Sequence, residues 1–207
     1  FHRRYEAYPD GTRFELVEGI VYMASPLHAN HGRNDAALTT ILGTYAVSTP
    51  GVEILTNTTV VLDETCEVQP DIALRLTEAA GGRSRVVDDD KEVIGPPELV
   101  IEVANHSAAI DRHQKKDAYQ QFGVFEYIVV NIRDQIAEAW DFQANEMFDL
   151  ATDGVFRSRQ FPGLWVDLQA ILEQRPSDAL KRVQAGMTTD PYRTFHDQLG
   201  RRLRDPQ

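Results

Sequence analysis

The residues whose types and spacing suit chemistry lie between Gln69 and Tyr127, in two short apolar runs and the segment that follows them. The first run, QPDIALRL, opens on Asp71, and the second, ELVIEVAN, carries Glu102 in its middle. Read as strands, successive side chains alternate between faces, so Glu102 shares a face with Glu98, Val100 and Ala104 while Leu99, Ile101 and Val103 take the other. In the first run Ile72, Leu74 and Leu76 share one face, and Asp71 and Ala73 the other. A carboxylate among apolar neighbours costs on the order of several kcal/mol to desolvate unless it is paired, hydrogen-bonded or holding a metal. On neighbouring strands the two acids can converge on one ion. Hard divalent cations such as Mg2+ or Mn2+ take oxygen ligands and keep waters and substrate phosphates in the remaining positions. Each acid alone also has an ordinary reading: an aspartate after proline is common turn chemistry, and a buried glutamate is commonly one half of an ion pair.

The following segment, DRHQKKDAYQQFG, reads as a helix whose sheet-facing side is Ala118, Tyr119 and Phe122. Lys115 precedes them by three, four and seven residues and falls on that stripe, whereas Lys116 points elsewhere. Asp111 is placed to cap the helix, with Gln114 as its reciprocal partner. Two acids, a divalent ion and an ammonium are the inventory for hydrolysing a phosphodiester. The ion polarises the phosphate and acidifies a bound water, and the lysine orients that water and stabilises charge on the phosphate.

Other elements must position these groups. RFELVEGIVYMASP reads as a hairpin turning at Glu18-Gly19. His28 to Ser48 reads as a helix on the recurrence of Ala36, Ala37, Thr40, Ile41, Thr44 and Tyr45, and Thr49-Pro50-Gly51 closes it. Val52 to Leu62, rich in β-branched residues, reads as one strand. Thr77 to Gly95, with Gly81-Gly82 and the acidic run Asp88-Asp89-Asp90, reads as a long exposed loop. Phe125 to Ile132 and Gln135 to Phe142 read as a strand pair, Glu146 to Leu150 and Val155 to Gln160 as another, and Asp167 to Gln174 as a short helix. The order predicts an α/β (α+β) domain over residues 1–175, with helices packed on a mixed sheet, followed by a helical tail over residues 176–207.

The formal charge of -11 over 207 residues argues against broad affinity for nucleic-acid backbones. Carboxylates gathered around a divalent ion lose that repulsion once the ion is bound. Cys66 is the only cysteine, which excludes an internal disulfide and a cysteine zinc cage. His28 and His31 form H-x-x-H without an evident third zinc ligand. No apolar run reaches the length of a membrane span, so a cytoplasmic protein without membrane contact is expected.

The order and spacing of FELVEGIVYMASP, His31, QPDIAL, PPELVIEV, D-x-x-x-K-x-x-x-Y and GVFEYIVVN resemble the Uma-type restriction-endonuclease group of the PD-(D/E)XK nuclease superfamily. The resemblance implies a restriction-endonuclease-like mixed central sheet flanked by helices, with an N-terminal hairpin and extra C-terminal strands. It makes Asp71 and Glu102 the metal-binding acids for Mg2+ or Mn2+. Lys115 becomes the catalytic lysine, supplied from the helix because Ala104 holds the usual place two residues after the acid. His31 matches a histidine early in the first long helix and is a candidate to contact a phosphate or water. Glu15 in FEL matches a Tyr-Glu-Leu and is a candidate further carboxylate. Where the group reads E-V-x-S-P-S, this chain has Asn105-His106-Ser107. The implied partners are nucleic acid, with DNA ahead of RNA, and a second copy in a homodimer. A non-enzymatic reading stays open beside this one, in which the scaffold is an inactive oligomerising or partner-binding module and the acids form a structural ion-pair cluster. A third reading, an enzyme acting on a small phosphorylated metabolite, suits the acidic surface.

Overall fold

A computed structural model describes residues 14–23, 28–87, 92–104 and 111–204 of the chain. The acidic run 88–90, the Asn105-His106-Ser107 segment and the Asp111 cap lie outside the described residues and side chains. The hairpin forms as β1 (Phe14–Val17) and β2 (Ile20–Met23). Its turn residues Glu18 and Gly19 have φ of 51° and 78°, the left-handed pair that a two-residue hairpin requires. Helix α1 (Ala29–Val47) follows and buries Leu38, Ile41, Leu42 and Tyr45. Thr40 and Thr44, expected on the buried stripe, instead lie on the outer side and hydrogen-bond back to Ala36 and Thr40 carbonyls. Leu38 and Leu42 take the core positions because the apolar stripe is rotated toward them.

The run from Val52 to Leu62 is two strands rather than one. β3 (Val52–Thr56) and β4 (Val60–Asp63) belong to different sheets. Between them Asn57 takes φ of 50°, a left-handed conformation that asparagine tolerates, and its N–H is bonded to the carbonyls of Pro70 and Asp71. The chain crosses there from one sheet to the other. β5 (Cys66–Val68) and β6 (Ile72–Leu76) come next. The stretch expected to be a loop contains a 3-10 turn (Glu78–Ala80) and two three-residue strands, β7 (Arg85–Val87) and β8 (Glu92–Ile94). β8 gains its backbone partners from β4, a pairing of distant segments that local composition does not reveal.

The central strands are β9 (Leu99–Ala104) and β10 (Glu126–Asn131), which pair in parallel. Between them run a π-helical turn (Asp111–Lys115) and α2 (Lys116–Gln121). β11 (Ile136–Asp141) and β12 (Glu146–Met147) complete a six-stranded mixed sheet in the order β12-β11-β10-β9-β6-β3. A second six-stranded mixed sheet has the order β2-β1-β5-β4-β8-β7, and β13 (Val155–Arg157) pairs with β14 (Trp165–Asp167). The fold is therefore α+β with helices on mixed sheets, as expected, but with two large sheets in place of one.

The central sheet separates two cores. Leu99, Ile101, Val103, Ile128 and Val130 face α1 and the C-terminal elements. Val100, Ala104, Tyr127 and Val129 face α2 and the second sheet. Helices α3 (Leu168–Leu172), α4 (Pro176–Gly186) and α5 (Asp190–Arg204) join the first core through Ile171, Val183, Tyr192 and Leu199. The basic end of α5 docks in part, with Arg202 donating to the Ala80 carbonyl. Among the described residues no helix is long and apolar enough to cross a membrane.

Candidate active site

β6 and β9 pair antiparallel with Ile72 opposite Ile101 and Ala73 opposite Val100. Asp71 immediately precedes β6, one residue before the Ile72–Ile101 pair, and Glu102 follows Ile101 with its side chain on the face away from α1. The Val103 N–H donates to Asp71 Oδ2 at 2.8 Å, which ties the aspartate to the glutamate's strand. His31, in the first turn of α1, brings Nε2 to 3.3 Å from the same Oδ2. These contacts place two of the residues expected to do chemistry, and a third beside them, around one strand end.

Glu102 is only 3% exposed and lies among apolar neighbours, so a bare carboxylate there is strongly disfavoured. The structure supplies its partners. Lys115 Nζ lies 3.1 Å from Glu102 Oε1, and the Tyr119 hydroxyl donates to that oxygen at 2.9 Å. Burial, and secondarily the Glu102 charge, push the Tyr119 phenol well above its ordinary range, so it remains a donor. Lys115 is itself 6% exposed. Lys116, one residue on, is half-buried, pairs with Asp117 and lies over the Trp140 ring. The π-helical turn ends on Lys115, and such turns add a residue to the helical pitch and re-aim the side chains beside them.

Glu15 enters the cluster from the second sheet. Its Oε2 lies 2.9 Å from Lys115 Nζ, and its Oε1 accepts from the Gln69 N–H at 2.8 Å. Lys115 thus bridges carboxylates from two sheets. Sequence reasoning placed Glu15 only by resemblance and read Tyr119 as a core residue. The i+4 spacing from Lys115 to Tyr119 was the available signal for the second, since it puts the hydroxyl on the lysine's own stripe.

Asp71 and Glu102 offer hard oxygen donors, the type that Mg2+ and Mn2+ take. Among the described residues no three His, Cys, Asp or Glu side chains gather into a ready-made metal cage. A two-carboxylate site that leaves the other positions to waters and phosphate oxygens is within the habit of these ions. The cluster also already holds one cation, the Lys115 ammonium, at the Glu102 carboxylate. The donor set fits such an ion.

Other buried and half-buried residues lie apart from the cluster. Glu98, on the Glu102 face, is buried but accepts from the Leu76 N–H at 2.8 Å and lies near Arg83, away from the cluster. Phe125 and Trp140 are half-buried within the chain, under Arg83 and against Tyr127 respectively. A further buried acid, Glu126, was not singled out from sequence. It is 0% exposed and accepts from the Ser158 hydroxyl and the Arg159 and Gln160 N–H groups.

Two large mixed sheets flanked by helices make a nuclease-like α+β fold. The chain belongs to the Uma2 family, described as "Putative restriction endonuclease", which it matches over residues 2–170. Among solved structures it is similar to one titled a putative nuclease belonging to DUF820 from Anabaena variabilis ATCC 29413. The TM-score is 0.62 at 14% identity, covering 83% of this chain and 97% of that one. A search of curated proteins gave no match.

Proposed function

We propose that the chain is a divalent-metal-dependent endonuclease that hydrolyses phosphodiester bonds in nucleic acid, DNA foremost. What supports the reading is the Asp71 carboxylate bonded by the Val103 N–H to the strand that carries Glu102, with Lys115 on the Glu102 carboxylate. Asp71 and Glu102 would hold Mg2+ or Mn2+, which when bound polarises a phosphate oxygen and acidifies a water. Lys115 orients the attacking water and offsets charge accumulating on the phosphate. The Val103 N–H and His31 hold the Asp71 carboxylate in place, and Tyr119 fixes the rotamer of Glu102. His31 also stands close enough to Asp71 to meet a phosphate or water beside it. Cutting both strands of a duplex calls for two such sites, which a homodimer would bring.

The test is incubation of the purified protein with supercoiled plasmid and with single-stranded DNA, in Mg2+ or Mn2+. The expected outcome is cleavage that falls by about 100-fold or more in Asp71→Ala, Glu102→Ala and Lys115→Ala. Parental rates in all three variants would remove the assignment. One observation favours a second reading. The Glu15–Lys115–Glu102 cluster is already closed as an ion pair in a chain of charge -11, which suits a partner-binding module whose acids are structural. Calorimetry with Mn2+ separates the two, because a structural cluster gives no binding heat that disappears in Glu102→Ala.

A further inference from the structure

Resting on the metal-site reading above, we propose that Glu15 is a positioning residue. It retains the Lys115 ammonium when a divalent ion draws on the Glu102 carboxylate, and the β1–β2 hairpin is the clamp that carries it. An ion on Glu102 withdraws negative charge from the oxygen that Lys115 contacts and repels the ammonium as a like charge. Its hold on Glu102 is weakened at the moment the lysine is needed. Glu15 supplies a partner that the ion does not need to share.

Both Glu15 oxygens have partners outside the Asp71–Glu102 pair. Oε1 takes the Gln69 N–H at 2.8 Å, and Oε2 takes Lys115 Nζ at 2.9 Å, against 3.1 Å for Glu102. The bond to Gln69 is to backbone, two residues before Asp71, so the lysine's anchor and the first acid are fixed to the same stretch of chain. The hairpin grips the helix a second time. Tyr22, directly across from Glu15 in the β1–β2 pair, donates its hydroxyl to Gln114 Oε1 at 2.7 Å. Two cross-strand partners therefore hold two consecutive residues, Gln114 and Lys115, at the end of the π-helical turn.

The experiment uses the full chain labelled with 15N-lysine and follows the Lys115 ammonium resonance by NMR, identified by its loss in Lys115→Met. In the parent the ammonium protons should exchange slowly, and the resonance should persist as Mg2+ is added. Glu15→Gln keeps the shape and the acceptor for Gln69 but removes the charge. It should speed ammonium exchange by at least about tenfold, with a further increase on adding Mg2+. Tyr22→Phe removes a bond at the surface and should shift exchange in the same direction by less, which decides the matter if Glu15→Gln fails to fold. Parental exchange in both variants overturns the proposal, as does loss of the parent's resonance at saturating Mg2+. If Mg2+ shifts no resonance in the parent, the metal-site reading fails instead, while exchange in Glu15→Gln still reports whether Glu15 holds the lysine.

Discussion

The parallel strands β9 and β10 each bury a carboxylate, on opposite faces of the central sheet, and the two are held in opposite ways. Glu102, on the α2 side, has a cation: Lys115, shared with Glu15. Glu126, on the α1 side, has hydrogen bonds to it from the Ser158 hydroxyl and two backbone N–H groups, while the charge of Asp141 acts on it repulsively. Burial pushes Glu126 up to about 7, partly offset by those donors. The nearby Arg159 guanidinium is spent on Asp141 and Glu146. Burial of an acid is therefore not in itself a sign of chemistry. Glu126 too has an acid, Asp141, opposite it in the strand register, so what sets Glu102 apart is the ammonium delivered by a separate element.

This comparison can be broken most forcefully at Lys115. Lys115→Met leaves the buried Glu102 and the half-buried Glu15 without their shared cation, and breaking a buried ion pair from one side costs about 3–5 kcal/mol. Urea unfolding at neutral pH should show that loss. A loss under about 1 kcal/mol would mean that the cluster is solvated enough to stand without the lysine.

On the other face the effect is smaller and of the opposite kind. Glu126 is raised from 4.5 to about 7, so between those values the folded state binds more protons than the unfolded one. Its contribution to stability is fully present below about pH 4.5 and is lost as the pH rises through 7, at most about 3 kcal/mol across that window. Glu126→Gln can accept from the Arg159 and Gln160 N–H groups through Oε1 and donate to Ser158 through Nε2. The substitution should therefore match the parent near pH 5, exceed its stability at pH 8, and flatten the pH dependence measured by urea unfolding. Equal slopes for the two proteins would show that Glu126 is ionised throughout.

Much of the site was legible because it depends on local periodicity. Strand alternation marked Asp71 and Glu102, and helical phase chose Lys115 over Lys116, the half-buried neighbour that lies over Trp140. The hairpin was legible because Glu18-Gly19 can adopt two successive positive φ values. The remainder depends on pairings between distant segments. Val52 to Leu62 is uniformly β-branched, so nothing but Asn57 marks the place where the chain changes sheet. β7 and β8 are too short to show alternation and exist as strands through their partners. Glu15 meets Lys115 across two sheets, and no spacing within the sequence encodes that meeting. Glu126 escaped notice because FEYIVVN reads as an apolar strand whose first residue belongs to a turn, whereas the loop carrying Ser158 folds over it and completes the burial.

The aromatic rings behind the cluster have an optical consequence. Tyr119, which holds Glu102, lies 5.1 Å from the Tyr127 ring, and Tyr127 stacks on Trp140 at 5.8 Å. The chain has two tryptophans, and the other, Trp165, sits on β14 beyond the opposite core. One hydroxyl and two rings thus separate Glu102 from a single indole. Intrinsic emission should report ion arrival at the cluster without any dye, with Tyr119→Phe uncoupling it and Trp165→Phe leaving it intact.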